Sequence, residues 1–185
     1  MKATTKMEWA KFTSMVHDPA RTREELVQIL RNVLQKEAAD YALSVKEQLD
    51  LRFPDWQKPR SRRGGDTPTV VMYRKQVRRF GTATDAFLWL VEQLIQAHPN
   101  IFDELETTKR CGIKGSARQW FAKSPEELYY FSSHLADTSA QYRKLSNGWY
   151  ADVNSSNEQK RNVLGKLFYE VEGKDSDWVF LPVPP

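Results

Sequence analysis

Two runs in the second half of the chain carry residue types that could bind a nucleic acid. The first is Lys114-Gly115-Ser116-Ala117-Arg118-Gln119-Trp120-Phe121-Ala122, and the second is Gly148-Trp149-Tyr150-Ala151-Asp152-Val153-Asn154-Ser155-Ser156-Asn157. Each sets an aromatic, strand-like segment beside small polar or basic residues, and the second leads straight into a helix. That order gathers amide side chains, hydroxyls and a helix N-terminus in one loop, which can hydrogen-bond a base edge and hold a phosphate.

Other chemistries find no support in the sequence. His17, His98 and His134 are scattered, and none stands at metal-ligand spacing from a second His or Cys. No G-x-S-x-G, phosphate loop or dinucleotide fingerprint occurs, and Gly64-Gly65 is a loop break. Cys111 beside Gly112 reads as a small half-buried residue, since nothing local marks an activated thiolate. Glu24-Glu25 and Glu126-Glu127 belong to first helical turns, where the macrodipole favours them, and Asp175 and Asp177 belong to a turn. We read no catalytic constellation, no metal site and no cofactor here, and a nuclease stands last among the function classes because its clustered acids are missing.

The elements that must position the two runs follow from periodicity. Thr22 with Glu25 forms a capping box, after which Leu26, Ile29, Leu30, Val33 and Leu34, then Tyr41, Val45 and Leu49, recur at helical spacing. One long helix from about Arg23 to Leu49 is expected, with an apolar face that must pack on this chain or on a second copy. Arg52, Lys58, Arg60, Arg62 and Arg63 lie among Pro54, Pro59, Gly64, Gly65 and Pro68 in an aperiodic basic loop. Val70–Tyr73 and Gln76–Phe80 read as a hairpin joined at Arg74-Lys75, although neither joining residue suits a type I′ turn. Thr82 or Thr84 caps an apolar helix that ends at His98-Pro99. Ser124-Pro125-Glu126-Glu127 is a second helix start, Ser156 with Gln159 a third, and Trp178–Leu181 a terminal strand.

The expected architecture is α+β, helix-rich with a small antiparallel sheet. It comprises an N-terminal helical arm at 1–51, a basic linker at 52–68 and an α+β domain at 69–185. A hydrophobic fraction of 40% with 12% aromatics is enough to build a core, and the net charge of +4 permits a nucleic-acid partner without requiring one. A lone cysteine and no apolar run of bilayer length point to a soluble chain in a reducing cytoplasm.

At Lys114–Ala122 and Trp149–Lys160 the chain resembles the C-terminal DNA-binding domain of SeqA, the negative modulator of replication initiation. Lys114, Gly115, Arg118, Trp120, Phe121 and Ala122 match that family's basic and aromatic run. Trp149, Tyr150, Asn154 and the segment to Asn157 match its strand and Asn-x-Asn loop, and Lys160 also fits. The likeness spans about residues 83–172, taking in the apolar helix Ala83–Ala97 and Leu128. Ser116 stands where the family has Arg, and Ser156 where it has its second Asn, with Asn157 one step beyond.

The resemblance implies a SeqA-like fold that binds double-stranded, hemimethylated DNA of GATC type through the major groove, in a nucleoid-associated, regulatory role in a bacterium or phage. Its implied DNA-binding set is Lys114, Ser116, Arg118, Asn154, Ser156, Asn157 and Lys160, with Asn154 reading a base and Lys114, Arg118 and Lys160 gripping phosphate. Arg60, Arg62, Arg63 and Arg161 are further candidate phosphate contacts, and the long N-terminal helix is a candidate for homo-oligomerisation. Plainer roles stand beside these: Asn154 ending a strand, Ser156 capping a helix, Arg118 pairing with Asp152, and Trp120, Phe121 and Trp149 filling a core. A second function class also stands, a protein-interaction module beside an effector of a restriction or phage-defence system, without DNA contact.

Overall fold

The computed structural model describes residues 3–54, 56, 67–108, 119–130, 132–173 and 176–182. Helices α1 (Ala3–His17), α2 (Arg23–Gln35) and α3 (Ala39–Arg52) come first, followed by the hairpin β1 (Thr69–Tyr73) and β2 (Gln76–Phe80). Then come α4 (Ala83–Ala97), α5 (Ile101–Thr108), β3 (Phe121–Ala122), α6 (Pro125–Leu128) and α7 (Ser133–Ala136). A 3-10 turn at Ser139–Gln141, β4 (Tyr142–Lys144), β5 (Tyr150–Asp152), α8 (Asn157–Glu172) and β6 (Trp178–Pro182) complete the order. Among the described residues the strands form two antiparallel three-stranded sheets, β2-β1-β6 and β3-β5-β4, so the class is α+β. Among the described residues no helix is long and apolar enough to cross a membrane.

The run Thr69-Val-Val-Met-Tyr73 explains the layering. Every residue of β1 is buried, and a strand turns alternate side chains to opposite faces. Val70 and Met72, with Val179 and Leu181 of β6, meet Leu26, Leu30 and Leu34 of α2 and Ala42, Val45 and Leu49 of α3. Val71 and Tyr73, with Phe180, meet Phe87, Leu90 and Leu94 of α4 and Leu164, Leu167 and Phe168 of α8. One sheet thus separates two cores. Helices α2 and α3 form a layer on one face of that sheet.

The expected single helix from Arg23 to Leu49 is two. Run straight, it would be roughly 40 Å long, while a five-residue strand spans only about 17 Å. Folding back lays both halves of the apolar stripe on the same sheet. The break falls at Glu37, whose φ of 56° lies in the left-handed region. The Ala38 amide donates to Val33 O at 3.0 Å and the Glu37 amide to Leu34 O at 3.1 Å, the paired bonds of a Schellman stop. The start of α2 is as expected: Thr22 and Glu25 form the capping box.

The hairpin forms at Arg74-Lys75 despite their types. Both adopt positive φ, 46° and 64°. Ion pairs hold the turn on two sides, Arg74 to Glu172 at 3.0 Å and Lys75 to Asp40 at 2.8 Å. The Tyr73 hydroxyl donates to the same Glu172 carboxylate. Burial, then that hydrogen bond, pushes the Tyr73 hydroxyl well above the usual tyrosine range.

Candidate nucleic-acid interface

The loop between β5 and α8 is positioned by its own polar groups. The Asp152 carboxylate, fully buried at the end of β5, accepts the Asn154 amide N–H at 2.9 Å through Oδ1. The Tyr129 hydroxyl lies 2.9 Å from the same oxygen and 2.5 Å from the Gln141 carbonyl oxygen. The Val153 amide donates to that Gln141 carbonyl at 2.9 Å. From the helix side, Lys160 Nζ donates to Val153 O at 3.0 Å and to Ser155 O at 2.5 Å. The loop backbone is therefore tied to β5, to the turn before β4 and to α8.

The start of α8 is capped as its sequence predicts. Ser156 Oγ accepts the Gln159 amide at 3.2 Å, and Gln159 Oε1 accepts the Ser156 amide at 3.0 Å. Asn157 is the first residue of the helix and is half-buried. Asn154 is exposed, and among the described residues its side-chain amide makes no hydrogen bond. The amide is thus uncommitted while the backbone beneath it is held.

Lys160 and Arg161, expected to grip phosphate, are largely buried. They are 3% and 8% exposed. Lys160 lies one turn into α8, on the side that faces the loop, so its stem is buried and its ammonium serves carbonyl oxygens. Arg161 Nη2 donates to Asn162 Oδ1 at 2.9 Å. Lys114, Ser116 and Arg118, and likewise Arg60, Arg62 and Arg63, lie outside the described residues. Trp120, Phe121 and Trp149 are core residues, with Phe102 stacked at 4.3 Å on Phe121 and tilted at 5.4 Å on Trp149.

Comparison of the sequence with models of protein families, with curated proteins and with solved structures finds no match.

The structure supplies cations that the sequence reading passed over. β4 runs antiparallel to β5, with Tyr142 opposite Asp152, Arg143 opposite Ala151 and Lys144 opposite Tyr150. Arg143 and Lys144 are exposed on this edge strand, beside the strand that leads to Asn154. Arg143 Nη1 is steadied by the Ser139 and Tyr142 carbonyls at 3.0 and 2.8 Å, and Lys144 Nζ stands 5.8 Å from the Tyr150 ring. Across β5, Lys123 pairs with Asp103 at 3.0 Å and lies over Trp149. The signal for β4 was present: Asn147-Gly148, a strong hairpin dipeptide, follows it, and Gly148 takes the φ of 88° such a turn needs.

Among the described residues no group of three His, Cys, Asp or Glu is placed to hold a metal ion. A shallow groove lined by Lys11, Met15, His17, Asp18 and Arg21 belongs to the helical layer, not to this loop. The arrangement offers one presented amide, a helix N-terminus and a cationic strand, which is equipment for binding.

Proposed function

We propose that this chain binds double-stranded DNA without altering it chemically. The β5–α8 loop reads a base edge in the major groove, and β4 meets the phosphate backbone. The observation that carries this reading is the uncommitted Asn154 amide on a backbone held by Asp152, Gln141 and Lys160. An Asn side chain donates and accepts at once, which matches the N6 and N7 edge of adenine. Holding the backbone beneath it still before contact lowers the entropy lost on binding. The likeness to SeqA in the sequence supports the same reading and directs attention to adenine methylation and to a replication-regulatory or genome-defence role. Asn157 and Ser156 border the presented amide, and Arg143 and Lys144 supply contacts that carry no sequence information.

The test is a titration of the full chain with unmodified, hemimethylated and fully methylated duplexes at low and moderate salt. Asn154→Ala should reduce discrimination between duplexes by about 1–3 kcal/mol, the range of one bidentate base contact. Arg143→Ala with Lys144→Ala should weaken every duplex alike and flatten the salt slope by about 1 per lost contact. Absence of binding at low salt, or equal loss on all duplexes for Asn154→Ala, overturns the reading.

A further inference from the structure

Among the described residues, no strand pairs with β2 on its side away from β1. The Tyr73–Gln76 pair closes a two-residue turn and is hydrogen-bonded, so Val77 and Arg79 fall at the alternate positions. Their N–H and C=O groups point away from β1. Among the described residues, 76–80 make no backbone hydrogen bond except to β1. Gln76, Arg78 and Arg79 are exposed, whereas Val179, Phe180 and Leu181 at the opposite edge are buried.

Among the described residues, the two arginines of this edge meet no carboxylate. Arg78 lies over the Trp89 ring at 5.4 Å, on the side of α4. Arg79 shares the other face with Val77, which packs with the helical layer. The two cations of the adjoining turn are different, since Arg74 and Lys75 are paired with Glu172 and Asp40.

We propose that β2 is a docking edge for an extended acidic segment of a partner protein, which adds as a further strand. An incoming strand satisfies the outward N–H and C=O groups together, and successive acidic side chains bring carboxylates to Arg78 on one face and Arg79 on the other. A phosphate chain fits less well, because the outward carbonyl oxygens of Val77 and Arg79 repel it. A second copy of this strand fits less well too, because antiparallel self-pairing sets arginine against arginine.

The experiment uses the full chain, isotopically labelled for amide NMR, and a capped extended peptide in which adjacent Glu pairs are spaced by Val, so that carboxylates fall on both faces of the added strand. A matching peptide of Lys and Val is the control. The acidic peptide should shift the Val77 and Arg79 amides and slow their hydrogen exchange. Arg78→Glu with Arg79→Glu should weaken binding about tenfold or more, since charge attraction becomes repulsion. Arg79→Pro removes an outward N–H without touching the ladder to β1 and should abolish binding, while Arg79→Gln keeps that N–H and should retain part of it. The proposal is overturned if the basic peptide binds equally, if Arg79→Pro binds undiminished, if a DNA duplex displaces the peptide from these amides, or if the chain dimerises through this strand instead.

Discussion

The ammonium of Lys160 bonds the carbonyl oxygen of Val153 at 3.0 Å, joining the first turn of α8 to the strand end that precedes it. A second bond, to Ser155 O at 2.5 Å, closes the loop between them. Lys160→Met keeps the stem and deletes both donors. It should cost about 1–3 kcal/mol, the penalty for leaving buried carbonyls unpaired, read from urea unfolding. The backbone N–H of Asn154 should also exchange faster in the variant, because the carbonyls on either side of it lose their partner. If Asn154 reads bases, the same variant loses discrimination between duplexes.

Glu37 stops α2 in a backbone region that disfavours side chains, with φ at 56°. Glu37→Gly should therefore raise stability by about 1 kcal/mol, while Glu37→Ala should bring no such gain. The midpoint of denaturant unfolding distinguishes the two variants.

The α2 capping box makes part of the stability depend on acid pH. The Thr22 backbone N–H, then its hydroxyl, then Arg21, hold the Glu25 carboxyl below its ordinary value of 4.5. A group with a lowered folded-state pKa favours folding above its unfolded-state value, and the benefit disappears as pH falls through the folded-state value. Stability of the native chain should thus fall on acidification below about 4.5, and Glu25→Gln should flatten that limb while lowering stability near neutrality. Unfolding midpoints measured across this range in both proteins provide the check.

What could be read in advance was local. Thr22, Thr82, Ser124 and Ser156 all cap helices, because a cap needs only a side chain and the amides just after it. The strand at Trp178 and the hairpin at Arg74-Lys75 are likewise short-range patterns. The break at Glu37 carried no glycine, proline or asparagine to announce it, and is imposed by the sheet that both helices must cover. That β1 serves two cores could not be seen in a continuous apolar run, which reads alike for any fully buried strand.

At the candidate site, Asn154 and Ser156 were visible from the strand–loop–helix order. The orientation of Lys160 was not, because it depends on the rotational phase of α8 relative to the loop. A lysine one turn beyond a cap is equally able to face solvent, and here the Val153 and Ser155 carbonyls decide the matter. Arg143 and Lys144 were passed over because β4 is only three residues long and its identity rests on pairing with β5.

Strand β6, residues 178–182, contributes Val179 and Leu181 to one core and Phe180 to the other. It is the last of the described elements and pairs with β1, more than a hundred positions earlier. On the ribosome, neither hydrophobic layer can be completed until this segment has left the exit tunnel. The helical hairpin and the β1–β2 ribbon must wait with apolar surface showing, so maturation of both halves is set by a single late event.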